Sequence, residues 1–148
     1  MGDFMRLDKL LSMLNYGSRK TVKKLVKDGH VLVNNEVISD ASIHIDPNQD
    51  KITVHDETVF YKDQIVIMLH KPSGFVCANH DTLHQTVFDL LNEPYNRLPL
   101  NIVGRLDIDT ERLVIFSNDG QLIHSIIHPN KQVYKTYYVK TKDKVFNS

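Results

Sequence analysis

The hydrophobic period of this chain changes once within its first thirty-eight residues, and that change limits the folds open to it. Leu7, Leu10, Leu11 and Leu14 recur at i, i+3, i+4 and i+7, the spacing of one apolar stripe along a helix. Gly17 supplies a stop, and Ser18 an N-cap whose oxygen can accept from the open amides of a following turn. A second helix is expected over Ser18 to Asp28, with Val22, Leu25 and Val26 inward and Gly29 ending it. From His30 to Ile38 the apolar residues alternate instead, broken by Asn34-Asn35. Asparagine tolerates positive φ, so the break reads as a tight hairpin of the primed-turn type. Two helices and a hairpin make a unit of about 60 residues, near the lower size for an independent core.

Further along, Asp46 to Asp50 reads as a turn and Lys51 to Phe60 as a strand. Ile65 to Leu69 has the composition of a fully buried strand, stopped by Lys71-Pro72-Ser73-Gly74. Thr86 to Leu91 is expected as a short helix with Val87, Leu90 and Leu91 inward. Leu113 to Phe116 and Val133 to Val139 are expected strands; between them Gly120 to Ile127 reads as a helix, closed by His128-Pro129-Asn130. Strands interleaved with short helices predict an α+β chain with a mixed sheet. The expected division is a first module over residues 1–60 and a second over 61–148.

Net charge is zero over 148 residues, but its distribution is uneven. From Met1 to Asn35 seven cations (Arg6, Lys9, Arg19, Lys20, Lys23, Lys24, Lys27) face three acids. From Glu36 to Phe60 one lysine faces six acids. Such asymmetry fits either a polyanion-binding face or two solvated surfaces of opposite sign. Only Asp28 offsets the lysines of the second helix, and phosphate binding needs unpaired cations of this kind. No run of 18 apolar residues appears, so no membrane span is expected. The start Met-Gly-Asp-Phe-Met-Arg lacks the basic-then-apolar order of a secretory signal, and Arg6 stands where a myristoylation motif needs Ser or Thr. A single cysteine, Cys77, excludes an internal disulfide framework and suits a reducing cytoplasm.

The densest chemical cluster is Gly104-Arg105-Leu106-Asp107-Ile108-Asp109-Thr110. A nearby cation favours the ionised form of a carboxylate, the form needed for covalent attack on an electron-poor carbon. On the residues alone, an ordinary turn in which Asp107 or Asp109 caps Thr110 onward is the favoured reading. Cys77, His80 and His84 resemble half a zinc site without a second ligand pair, and His124 and His128 lack the glutamate of a zincin helix, so no metal is expected. A phosphate-cradling glycine loop and a nucleophile elbow are both missing from the sequence.

Two resemblances join these observations. Met5-Arg6-Leu-Asp8-Lys-Leu-Leu through Ser18-Arg19, then Lys24 to Asn34, resembles the S-four-like RNA-binding module, although Asn35 stands where that family usually has glycine. Leu69-His-Lys71-Pro72-Ser-Gly74, Gly104 to Thr110, Ser117-Asn118-Asp119-Gly120 and Lys135-Thr-Tyr137 follow the order and spacing of the RsuA-type pseudouridine synthases, which act on small-subunit (16S) ribosomal RNA. The resemblance implies an S-four-like domain over 1–60 and part of a mainly antiparallel catalytic domain over 61–148. It implies Asp107 as the covalently engaged aspartate, with Arg105, Lys135 and Tyr137 binding substrate: Arg105 holding the RNA open, Tyr137 stacking on uracil, and Lys135 supporting its segment. RNA would dock on Arg6, Lys9, Ser18, Arg19, Lys20, Lys23, Lys24 and Lys27. No cofactor is implied, and the partner would be ribosomal RNA or a small-subunit precursor met by a cytoplasmic monomer. A non-catalytic RNA-binding remnant and a structural ribosome-associated protein are the alternatives. Two departures carry consequences. Arg112 replaces the family's glycine in Thr110-Glu111-Arg112-Leu113 and would strain the turn if positive φ were needed. Relatives continue for many tens of residues past the position of Ser148, adding strands and a basic partner for the aspartate, so Val133 to Val139 is expected as an exposed edge strand.

Overall fold

A computed structural model describes residues 4–142. Strand β1 (Met5–Arg6) leads directly into helix α1 (Leu7–Met13), and helix α2 (Arg19–Lys27) follows. The four leucines of the α1 stripe are all fully buried, as are Val22 and Val26 of α2, while Leu25 is half-buried. Ser18 caps α2 as its spelling predicts, accepting from the Thr21 amide at 3.2 Å. The left-handed stop after α1 falls on Asn15 (φ 60°) rather than on Gly17. Gly17 (φ 130°) instead makes room for the first turn of α2, since a Cβ there would lie 2.8 Å from the Thr21 side chain.

Strands β2 (Val31–Val33) and β3 (Glu36–Val37) form the predicted hairpin, with Asn34 and Asn35 at φ 52° and 68°. Strand β4 (His44–Ile45) pairs with β1. The single strand expected over Lys51 to Phe60 is instead a second hairpin, β5 (Ile52–Val54) and β6 (Glu57–Thr58), turning at His55 and Asp56 with φ 50° and 66°. Two consecutive positive φ values reverse the chain, so the alternation that continues past the turn belongs to the antiparallel partner. Together these four strands make one sheet in the order β3-β2-β5-β6.

The second sheet has the order β7-β9-β8, from β7 (Val66–Lys71), β8 (Asn101–Val103) and β9 (Arg112–Ser117), all antiparallel. Strand β7 is not fully buried as its composition suggested; Val66 and Met68 are 53% and 71% exposed. It is an edge strand with one face on the core, so alternate side chains point away. The expected helix over Thr86 to Leu91 is a single 3-10 turn, Val87–Leu90, closed by a reciprocal capping box between Thr86 and Asp89. Helix α3 (Gly120–Ile127) forms where expected, with Asp119 accepting from the Gln121 and Leu122 amides. No strand forms over Val133 to Val139: these residues are exposed and unpaired by any described strand, and an isolated extended segment has no ladder to hold it. Arg112 sits within β9 without positive φ, so the strain expected of it does not arise.

One continuous apolar cluster runs from Leu7 to Phe116 and joins both halves of the chain. Phe116 is fully buried, with its ring edge-on to Phe88 at 5.1 Å. Where the halves meet, Asn15 donates to the Arg97 carbonyl at 3.3 Å, and the Arg97 guanidinium lies 4.9 Å from the centre of the Tyr16 ring. No helix among the described residues is long and apolar enough to cross a membrane.

Candidate active site and nucleic-acid interface

The loop Gly104–Thr110 leaves β8 through a left-handed glycine (Gly104, φ 88°) and enters β9 at Arg112. Within it the Thr110 amide donates to the Asp107 carbonyl at 3.1 Å, a backbone turn rather than the carboxylate cap the sequence allowed. The Asp107 side chain is exposed. Beneath the loop lies a cavity of about 520 Å³, floored by Val103, Leu113, Ile115 and Ile126 and bordered by Arg105, Arg112, Lys135 and Tyr137. The fold thus brings Arg105, Lys135 and Tyr137 together around one hollow. Asp107 stays outside its lining, one residue beyond the lining residue Leu106. A second hollow of about 500 Å³ shares Gly104, Arg105 and Lys135 and reaches Cys77 and Asn79.

Two residues of this region escaped sequence reasoning. Arg112, noticed only as a departure, faces the cavity, lies 5.4 Å from the Tyr137 ring centre and donates to the Tyr138 carbonyl. Lys71, read as a strand end and as part of the motif that carries the resemblance but given no role, is fully buried, its side-chain nitrogen donating to the carbonyls of Pro72, Ile108 and Thr110. Neither shows in hydrophobic patterning, because each depends on chain distant in sequence.

The basic face lies on β1, α1 and α2. Lys9, Arg19, Lys20, Lys23, Lys24 and Lys27 are exposed, as is the cap Ser18. Lys23 and Lys27 join Arg6 around a hollow of about 500 Å³ that also holds Ser39, Asp40 and Ser42. Two cations of the set are partly neutralised. Arg6 makes a two-point contact with the buried Asp8 at 3.0 and 2.8 Å, and Lys24 pairs with Asp28 at 2.5 Å. Hydrogen bonding from Arg6 holds the Asp8 carboxyl below its ordinary range, against the opposing effect of burial. Asp40, bonded by the Ser42 hydroxyl and amide, is likewise held low, so the hollow carries one anion among three cations. Among the described residues, no three His, Cys, Asp or Glu side chains come together to hold a metal.

The chain thus joins a short helical pair with a basic face to an antiparallel sheet whose strand-linking loop carries Arg and Asp beside a cation-lined hollow. Residues 65–148 match the family model for RNA pseudouridylate synthase, and residues 5–50 match the S4 domain. The chain is 44% identical over 141 residues to an uncharacterized RNA pseudouridine synthase, YtzG, of Bacillus subtilis, covering 95% of this chain and 59% of that protein. It is 34% identical to an uncharacterized RNA pseudouridine synthase of Aquifex aeolicus, covering 92% and 57% of the two chains. It is 38% identical to ribosomal small subunit pseudouridine synthase A of Vibrio parahaemolyticus, covering 95% and 60%. This chain belongs to the RNA pseudouridylate synthase family. It spans about three-fifths of the length of these curated relatives.

Proposed function

We propose that this chain isomerises a uridine to pseudouridine in ribosomal RNA, specifically in the 16S RNA of the small subunit, with Asp107 as the covalently engaged carboxylate. The observation that carries the reading is the Gly104–Thr110 loop standing directly beside a hollow that Arg105, Lys135 and Tyr137 border. Its volume, about 520 Å³, falls within the range of small-molecule pockets, and its apolar floor with cationic rim suits a flat base attached to a phosphodiester chain. The target uridine leaves its stack to reach it. Arg105 holds the opened RNA, Tyr137 stacks on the uracil and Lys135 supports that segment. The bond between N1 and C1′ of the ribose breaks, the base turns, C5 bonds to C1′, the C5 proton leaves to solvent, and N1 takes up a proton from solvent. Atoms balance with no cofactor.

The exposed cations of α2 and the hollow formed by Arg6, Lys23 and Lys27 bind phosphates and set the RNA's register. The protein acts as a cytoplasmic monomer on ribosomal RNA or a small-subunit precursor, with residues 1–60 docking and residues 61–148 carrying the chemistry. The relative named as a small-subunit synthase supports this choice of substrate. Incubating the chain with 16S RNA, followed by digestion to nucleosides, is expected to yield pseudouridine, and Asp107→Ala is expected to yield none.

A second reading is favoured by one observation: the Asp107 carboxylate is exposed and outside the cavity lining. On that reading the chain is an RNA-binding remnant without catalysis. It predicts salt-sensitive RNA binding with no pseudouridine formed by wild type or variant.

A further inference from the structure

The two hollows beside the Gly104–Thr110 loop are neighbours, and consecutive residues of two elements divide between them. Val103 of β8 and Ile126 of α3 line the hollow that Tyr137 borders, whereas Ile102 and Ile127 line the other. Successive strand residues point to opposite faces, and successive helix residues turn by roughly 100°, so one strand and one helix end wall both spaces. Gly104, Arg105 and Lys135 belong to both linings and form the divide. A Cβ on Gly104 would stand 4.0 Å from the Lys135 ammonium nitrogen, which therefore lies over the loop backbone. Among the described residues, Arg105 and Lys135 make no ion pair. Two unpaired cations on a ridge between two hollows suit the phosphate that joins two nucleotides.

The hollows differ in chemistry. Where the first holds Tyr137, the second, of about 500 Å³, holds the exposed side chains of Asn79 and Asn101 above the apolar Cys77, Ile102 and Ile127. A carboxamide presents a donor and an acceptor side by side, the complement of N7 and the N6 amino group of adenine. We infer that the second hollow is a subsite for the base of the nucleotide adjoining the target uridine, with adenine preferred, and that Asn79 and Asn101 determine that preference. The inference rests on the reading of the Tyr137 hollow as the uracil site. The target base enters one hollow, its neighbour enters the other, and their shared phosphate crosses the Arg105–Lys135 ridge. A free phosphate alone would use the ridge and leave the apolar wall idle.

Titrating the 15N-labelled full chain with small nucleotides tests this without turnover. UMP at about 10 mM, enough to occupy a site of millimolar affinity, is expected to shift the Val103 and Ile115 amides and to leave the Asn79 and Asn101 side-chain signals in place. Of the dinucleotides ApU and UpA, the one whose strand order fits the ridge is expected to shift both sets. The guanine counterparts, GpU and UpG, are expected to bind about tenfold more weakly. Ile127→Trp alters a position that is 46% exposed and fills the second hollow. It is expected to abolish the Asn79 and Asn101 shifts while the UMP response stays as in wild type. The double variant Asn79→Ala, Asn101→Ala is expected to remove the preference for adenine over guanine, and it decides the matter where Ile127→Trp does not fold. On 16S RNA, Ile127→Trp is expected to lower kcat/KM by about tenfold, as loss of one bidentate base contact would.

Three results overturn the subsite: no dinucleotide-dependent shift at Asn79 and Asn101, the same shift with UMP alone, or equal affinity for the adenine and guanine dinucleotides. If wild type forms no pseudouridine, the catalytic reading alone fails, and the dinucleotide titration still decides whether the second hollow takes a base.

Discussion

Single residues in this chain take their meaning from chain far away in sequence. Lys71 finds its acceptors 37 and 39 positions downstream, and nothing in the run Val66-Ile-Met-Leu-His-Lys announces them. Asp8 is the opposite case, since its partner Arg6 is two residues away, yet its burial follows only from packing. That pair has a pH consequence. The folded Asp8 carboxyl titrates below its ordinary value of 3.8, so its contribution to stability is complete above that value and is lost as pH falls through the depressed one. Thermal unfolding measured from roughly pH 6 to 3 is expected to show a smaller acid-induced fall in Tm for Arg6→Gln than for wild type. Equal falls would remove Arg6 from the account. At Asp107 the residue types were legible as a charged loop, whereas its position just outside the cavity was not, because a cavity lining is a product of the assembled fold.

Elements were legible where a local rule sufficed. The leucine stripe of α1 and its C-cap, the Ser18 cap and the Asn34-Asn35 turn each carry their own instruction, and the fold obeys all three. The β5–β6 hairpin was missed because His55-Asp56 is a weak spelling for two positive φ values. Strand β7 was misjudged because composition does not distinguish a central strand from an edge strand. The segment Val133–Val139 has a strand's composition, but a strand also requires a neighbour, and none is described beside it. Two predictions belong at this scale. Asn35→Val forces a β-branched side chain into a left-handed position and is expected to destabilise the hairpin by about 1–2 kcal/mol in denaturant unfolding; Asn35→Gly is expected to leave stability equal or better. Phe116→Ala removes a fully buried ring between the second sheet and Phe88, with an expected loss of about 3–5 kcal/mol.

At the scale of the whole molecule, zero net charge concealed an uneven distribution along the chain, and that unevenness marked the basic helix as the element to watch. The helix that exposes Lys20, Lys23 and Lys27 is far along the chain from the Asp107 loop, yet one apolar cluster joins the two halves. Neutralising Lys20, Lys23 and Lys27 together is expected to weaken RNA binding at about 0.1 M salt and to reduce the slope of log affinity against log salt by roughly 2 to 3, as lost phosphate contacts require. Unchanged affinity and slope would move the docking surface elsewhere.

The central claim is that Asp107 performs covalent chemistry on an extruded uridine. It is tested most directly by tritium release from RNA labelled at uridine C5, comparing wild type with Asp107→Ala under single-turnover conditions. Release from wild type, with only background from the variant, is the predicted result. Equal release from the two proteins, at background or above it, would contradict the account.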